Sequence, residues 1–215
     1  MQRRTALKNI GLSFGALTLT PTVVSMLQSC QNTPEGWSPV FLTKDEATVV
    51  GKIIDVMLPT TADVPGAADL NLIQFLDVYL HGVSGEEEQQ FAKMATGIFS
   101  NTALAAAGKE NVNDLTAEDI DVQLNKYLRA SEEELAERGQ AFSAYVEGLA
   151  EGATGEPPVE GVCQSYLFNL RSLAVEAFKE NAIIGEQHLA YAPVPGQQKG
   201  CVDLQEATGG KAWAL

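Results

Sequence analysis

At 215 residues the chain is long enough for one domain with a sizeable core, and a formal net charge of −14 makes it strongly acidic. That charge repels nucleic-acid phosphates and anionic lipid head groups, so it excludes both as partners held by electrostatics.

The chain opens MQRRTALKNIGLSFGALTLTPTVVSMLQSC, with Arg3, Arg4 and Lys8 ahead of an uncharged stretch of apolar and small residues from Ile10 to Leu27. This is the layout of an export signal. Arg3-Arg4-Thr5-Ala6-Leu7-Lys8 resembles the twin-arginine signals that carry folded proteins, with Ala6 where a leucine or aromatic residue is usual. An ordinary secretory signal with two arginines is the competing reading. Leu27-Gln28-Ser29-Cys30 resembles a lipobox, which makes Cys30 the expected first residue of the mature chain and its site of lipidation. A membrane-spanning helix is disfavoured, because Gly11, Gly15, Pro21 and several Ser and Thr interrupt the stretch, and a span needs about 20 apolar residues in a row. The lipid would then supply the contact with the membrane that charge denies. Cleavage before Cys30 removes three positive charges from −14 and leaves 186 residues at −17.

Residues 30–42 read as a tether, since QNTPEGWSPVFL carries two prolines and a glycine, with Trp37 and Phe41 able to dock it. Thr43 with Glu46 then marks a helix start, and Val50, Ile53, Ile54, Met57 and Leu58 follow at helical spacing until Pro59. Ser84 with Glu87, Thr116 with Asp119, and Ser131 with Glu134 repeat that start signal, while Gly82 and Gly108 read as stops. The expected helices run near 44–58, 71–81, 85–107, 117–130, 132–151 and 160–181. Residues 43–215 are thus expected to form an all-α domain: a compact bundle of about six helices with an irregular, Pro- and Gly-rich tail from Tyr191 onward.

With Cys30 assigned to lipid, Cys163 and Cys201 remain as an even pair in an oxidising compartment, and a disulfide between them is expected to pin the tail. Two free buried thiols are the alternative.

Cofactor chemistry finds no local motif in the chain. His81 and His188 are its two histidines, and neither belongs to a Cys-x-x-Cys-His haem site or a Glu-x-x-His di-iron pair. The cysteines are too widely separated for a local zinc or iron–sulfur motif, and Gly148, Gly152 and Gly155 lack the spacing of a dinucleotide loop. The acidic groups Asp114, Glu118, Asp119 and Asp121 lack the glycine and terminal glutamate of a calcium loop and read as a solvated helix start. No catalytic, cofactor-binding or metal-binding residue is assigned in this chain.

Two segments are more particular than composition explains. They are IIDVMLPTTADVPGA from Ile53 to Ala67, and the tail Tyr191-Ala192-Pro193-Val194-Pro195-Gly196 followed by Gly200-Cys201 and Lys211-Ala212-Trp213-Ala214. Together, over residues 41 to 214, they resemble the gluconate 2-dehydrogenase subunit 3 family, in which a helix ends in an Ile-Pro-x-Thr-x-Thr-Pro-Gly-Ala type turn and a Pro-Val-Pro-Gly segment lies near the C-terminus. Leu58 replaces the usual isoleucine, and Asp63-Val64 stands where a Thr-rich turn is common.

The resemblance implies a small, cofactor-free subunit that pairs with a large flavin-dependent dehydrogenase of the glucose-methanol-choline type, with FAD in the partner and frequently a cytochrome c subunit alongside. It further implies that the partner lacks a signal and leaves the cytoplasm folded, escorted by this chain to the periplasmic side of a bacterial membrane. The irregular segments around Pro59, Thr60, Thr61, Pro65 and Gly66, and around Tyr191, Pro193, Pro195 and Gly196, are the expected partner contacts. Packing of the two segments on each other is the alternative. A lipid-anchored helical binding module without a dehydrogenase partner is the competing function.

Overall fold

The computed structural model describes residues 37–215 apart from Pro195, Gln198, Lys199 and Leu215. Arg3, Arg4, Lys8 and Cys30 lie outside the described residues. Pro39–Leu215 forms one unit. Its elements are α1 (Lys44–Met57), α2 (Leu72–Gly82), α3 (Glu86–Ala107), a 3₁₀ turn (Val112–Asp114), α4 (Ala117–Leu128), α5 (Glu132–Ala150), α6 (Val159–Glu180), a π turn (Ile184–His188) and a short α7 (Leu204–Thr208). The fold is all-α, and β structure among the described residues is limited to one isolated bridge, Ala190 to Trp213.

Helix starts follow the side-chain chemistry of the caps. Thr43 Oγ1 accepts from Glu46 N at 3.2 Å while Glu46 Oε2 accepts from Thr43 N at 2.7 Å, and Thr116 with Asp119 and Ser131 with Glu134 repeat this reciprocal pairing. The start of α3 lies one residue later than expected: Gly85 is its N-cap and Glu88, in place of Glu87, accepts from Gly85 N at 3.2 Å. Ser84 is occupied in ending α2, where its N–H donates to Tyr79 O at 3.2 Å and its carbonyl accepts from Gln89 Nε2 at 3.2 Å. Gly108 closes α3 at φ 64°, a left-handed conformation that costs glycine nothing.

α6 is the axis of the bundle and touches each of the other five long helices. Its buried stripe of Val162, Cys163, Tyr166, Leu167, Leu170, Ala174 and Ala177 shares the core with the buried Val49, Ile53, Leu76, Phe99 and Tyr127 of the helices around it. Burying a Leu, Ile or Phe side chain contributes about 1.5–3 kcal/mol, so this stripe dominates the packing energy. Gly161 sets how closely α5 can approach, because a Cβ there would stand 2.7 Å from Arg138 O and 3.1 Å from Phe142 Cβ. Lys52 on α1 holds the 3₁₀ turn by donating to the carbonyls of Val112, Asn113 and Leu115 at 2.9, 2.7 and 2.7 Å.

The chain enters the bundle over a buried carboxylate. Asp77 on α2 accepts from Val40 N at 2.6 Å, Phe41 N at 3.1 Å and Leu42 N at 2.7 Å, so these three residues belong to the folded unit. Lys93 lies 4.7 Å from the centre of the Phe41 ring.

The tail is pinned by backbone pairing. Ala190 N donates to Ala212 O at 2.8 Å and Ala214 N to Ala190 O at 2.9 Å. The expected Cys163–Cys201 disulfide is not formed: both thiols are free, Cys163 buried and Cys201 exposed. A bond would require Cβ atoms about 3.8 Å apart. The Cys163 thiol instead sits within the bundle, where burial pushes its pKa up and hydrogen bonds to Tyr127 and Thr102 oppose the shift. Of the alternative reading, only Cys163 fits as a buried thiol. The tail also contains α7, which sequence periodicity does not reveal; Asp203 caps it by accepting from Glu206 N at 3.0 Å, and Gly209 ends it at φ 64°.

These caps make stability acid-sensitive. The Lys109 ammonium and the Thr116 N–H hold the Asp119 carboxyl down at about 2, from an ordinary value of 3.8. A carboxyl whose pKa is depressed by folding contributes stability that is complete above its unfolded value and is lost as pH falls through the folded one. Asp119 is therefore expected to lose its contribution between about pH 4 and 2. Thermal unfolding of Asp119→Asn across that range should show a shallower fall in Tm than the parent, and equal slopes would remove Asp119 from the account.

Candidate functional site

The turn after α1 is a rigid connection built on two residues that accept from it. Leu58 O accepts from Ala67 N at 2.8 Å, folding the segment back on itself, and Asp69 Oδ2 accepts from Gly66 N at 2.9 Å and from the Thr60 hydroxyl. The Thr60 hydroxyl and the Gly66 N–H draw the Asp69 pKa below the usual carboxylate range. Thr61 N donates to Val64 O at 3.0 Å, and Val64 N donates to Thr61 Oγ1 at 3.0 Å. Gly66 is required by this crossing, since a Cβ would collide with Thr60 N and come within 2.7 Å of Leu58 O and Pro59 C.

Pro59, Thr60 and Thr61 are exposed along the turn, Pro65 is half-buried and Gly66 is buried. Four of the five expected contact residues in the turn thus retain accessible surface, while Gly66 acts on the backbone. Asn71, at φ 52°, then redirects the chain into α2. In the tail, Tyr191, Pro193 and Gly196 are exposed, with Gly196 at φ 75°; Pro195 lies outside the described residues. Among the described residues no hydrogen bond joins the turn to the tail.

A model of gluconate 2-dehydrogenase subunit 3 matches residues 44–196, which takes in the whole bundle, the turn and the Pro-Val-Pro-Gly segment. The chain belongs to the gluconate 2-dehydrogenase subunit 3 family. Searches of curated proteins and of solved structures return no match. Membership agrees with the two segments that carry the resemblance in the sequence, of which Pro59 to Asp63 in the first and Tyr191 to Val194 and Gly196 in the second are exposed.

Tyr166 has a structural role in the bundle. Thr96 Oγ1 lies 3.0 Å from Tyr166 OH and donates to Ala92 O at 2.7 Å, which places a polar pair in the core between α3 and α6. Among the described residues no three His, Cys, Asp or Glu side chains are grouped to hold a metal, and no helix is long and apolar enough to cross a membrane.

Two features escaped the sequence reading. Asp77 fixes the entering chain through contacts 35 to 37 residues away, for which a single sequence has no local signal. The outer face of α2 is the second. LIQFLDVYLHG is apolar nearly all round, and in a small bundle such a helix keeps apolar surface even after one side is buried. Phe75 and Val78 are 48% and 57% exposed there.

Proposed function

We propose that this chain is the accessory subunit of a gluconate 2-dehydrogenase-type complex, and that it escorts, stabilises and anchors a large flavin-dependent sugar or polyol dehydrogenase on the periplasmic side of a bacterial membrane. The family match over residues 44–196 is the observation that carries this reading. On it, FAD and the dehydrogenation chemistry belong to the large subunit, a cytochrome c subunit completes some complexes, and this chain contributes binding surface, an export signal at Arg3, Arg4 and Lys8, and a lipid on Cys30. The exposed part of the turn from Pro59 to Asp63 and the tail residues Tyr191, Pro193 and Gly196 support partner contact, because restricted backbone loses little entropy when a surface docks.

The test is direct. Affinity purification of the tagged full chain from its own host, followed by mass spectrometry and flavin fluorescence, should recover a large flavoprotein in near one-to-one amount. Recovery of this chain alone, with no flavin, would leave the lipid-anchored binding module as the better account.

A further inference from the structure

We infer that the outer face of α2, together with the cavity beside it, is the principal docking surface for the large dehydrogenase subunit; this rests on the functional reading above and specifies where that partner is held. Asp77 is the one Asp, Glu, Lys or Arg on α2, and it is buried and committed to Val40, Phe41 and Leu42. The exposed face of the helix is therefore free of those charges on a chain of net charge −14. Phe75, Val78 and the half-buried Tyr79 lie along it at helical spacing, with the Phe75 and Tyr79 rings 6.0 Å apart. Exposed apolar residues on the other long helices stand beside charges, as Val122 does after Asp121 and Val175 does before Glu176.

Next to this face, between α2, α3 and α6, opens a cavity of about 310 Å³. Tyr79 and Leu80 form its α2 wall, Phe91 and Leu173 face them, and Glu88 is the one charged group in its lining. Glu86 and Glu87 are exposed in the preceding positions of α3. An apolar face beside a largely apolar cavity, with the Glu88 carboxylate in its lining and Glu86 and Glu87 close by in sequence, is complementary to a protein that inserts an aromatic or branched side chain flanked by Lys or Arg. The same charges argue against the other occupants. A second copy docked by the same patch would bring the carboxylates of Glu86 to Glu88 from both chains into one interface, and an anionic membrane would be repelled.

The patch is held in shape before docking. Gln89 Nε2 donates to Leu80 O at 2.7 Å and to His81 O and Ser84 O at 3.2 Å each, locking the corner between α2 and α3. Binding therefore requires little ordering of this corner. The face also begins where the family turn ends: Asn71 leads directly into α2, and Phe75 stands one helical turn further on.

The experiment compares the amount of flavoprotein that co-purifies with the full chain and with Phe75→Glu, Val78→Glu and a control, Val146→Glu on α5, all at exposed positions. The two α2 variants should lose at least tenfold of the partner while keeping the parent's Tm, and the control should retain it. Parent-like recovery by both α2 variants would overturn the docking site and leave the functional reading intact. Absence of any flavoprotein from the parent preparation would instead sink the functional reading, and the inference with it. Light scattering covers the remaining occupant: a parent dimer dispersed by Phe75→Glu would assign the face to self-association and overturn the inference.

Discussion

If this chain escorts its partner as proposed, replacing Arg3 and Arg4 with lysine is expected to strand two proteins in the cytoplasm, this chain and the large flavoprotein it would carry. The substitution keeps both positive charges, so a loss of export is not an electrostatic effect on the start of the signal. What lysine cannot copy is the planar, five-donor geometry of guanidinium. A flavoprotein that binds its cofactor before transport must cross folded, which is the property of the twin-arginine route that makes escort necessary. Deleting residues 43–215 while keeping the signal should strand the partner as well, because escort requires binding first. Flavin-dependent dehydrogenase activity with an artificial acceptor, assayed in periplasmic and cytoplasmic fractions, reads both effects. Activity that stays fully periplasmic in the lysine variant would rule out escort by a twin-arginine signal on this chain.

How far the sequence discloses the molecule depends on whether the determining contact is local. Thr43 with Glu46, Thr116 with Asp119 and Ser131 with Glu134 are three residues apart, so the cap is visible in the string and the helix start follows to the residue. At α3 the same grammar is degenerate, because the run Glu86-Glu87-Glu88 offers a partner to more than one N-cap, and closure of α2 by Ser84 decides for Gly85. α7 spans five residues, too few for a period to appear, though Asp203 and Gly209 mark its two ends.

Non-local features were legible only where sequence carried a recurrent signature. The turn from Leu58 to Ala67 was recognisable as a family feature, but its physical reason, the passage of backbone against backbone at Gly66, appears only in three dimensions. Counting cysteines led to a disulfide that the fold does not make, since parity says nothing of direction: Cys163 points into the bundle and the tail is joined at Ala190 by backbone pairing. The α2 face was present in the sequence as an almost uncharged helix, and became informative once the one carboxylate on it proved to be buried.

That carboxylate carries a large stability effect from a single polar side chain. Asp77→Ala should destabilise the protein by about 3 kcal/mol, the scale for removing hydrogen bonds to a buried charged group when the orphaned donors can partly regain water. Three N–H groups lose their acceptor together, and the cheapest relief is for Val40 to Leu42 to lift away, which exposes Leu42, now 5% accessible. In a domain of this size the loss corresponds to a fall in Tm of roughly 6–12 °C. Asp77→Asn keeps one carbonyl oxygen as acceptor but turns an NH₂ group toward N–H donors, so it should recover less than half of the difference. The localisation of the effect distinguishes this role from general packing: hydrogen exchange at the amides of Val40, Phe41 and Leu42 should accelerate well before that of the α6 core. Slow exchange at these three amides in Asp77→Ala, or a Tm within 1 °C of the parent, would show that the carboxylate does not hold this end of the chain.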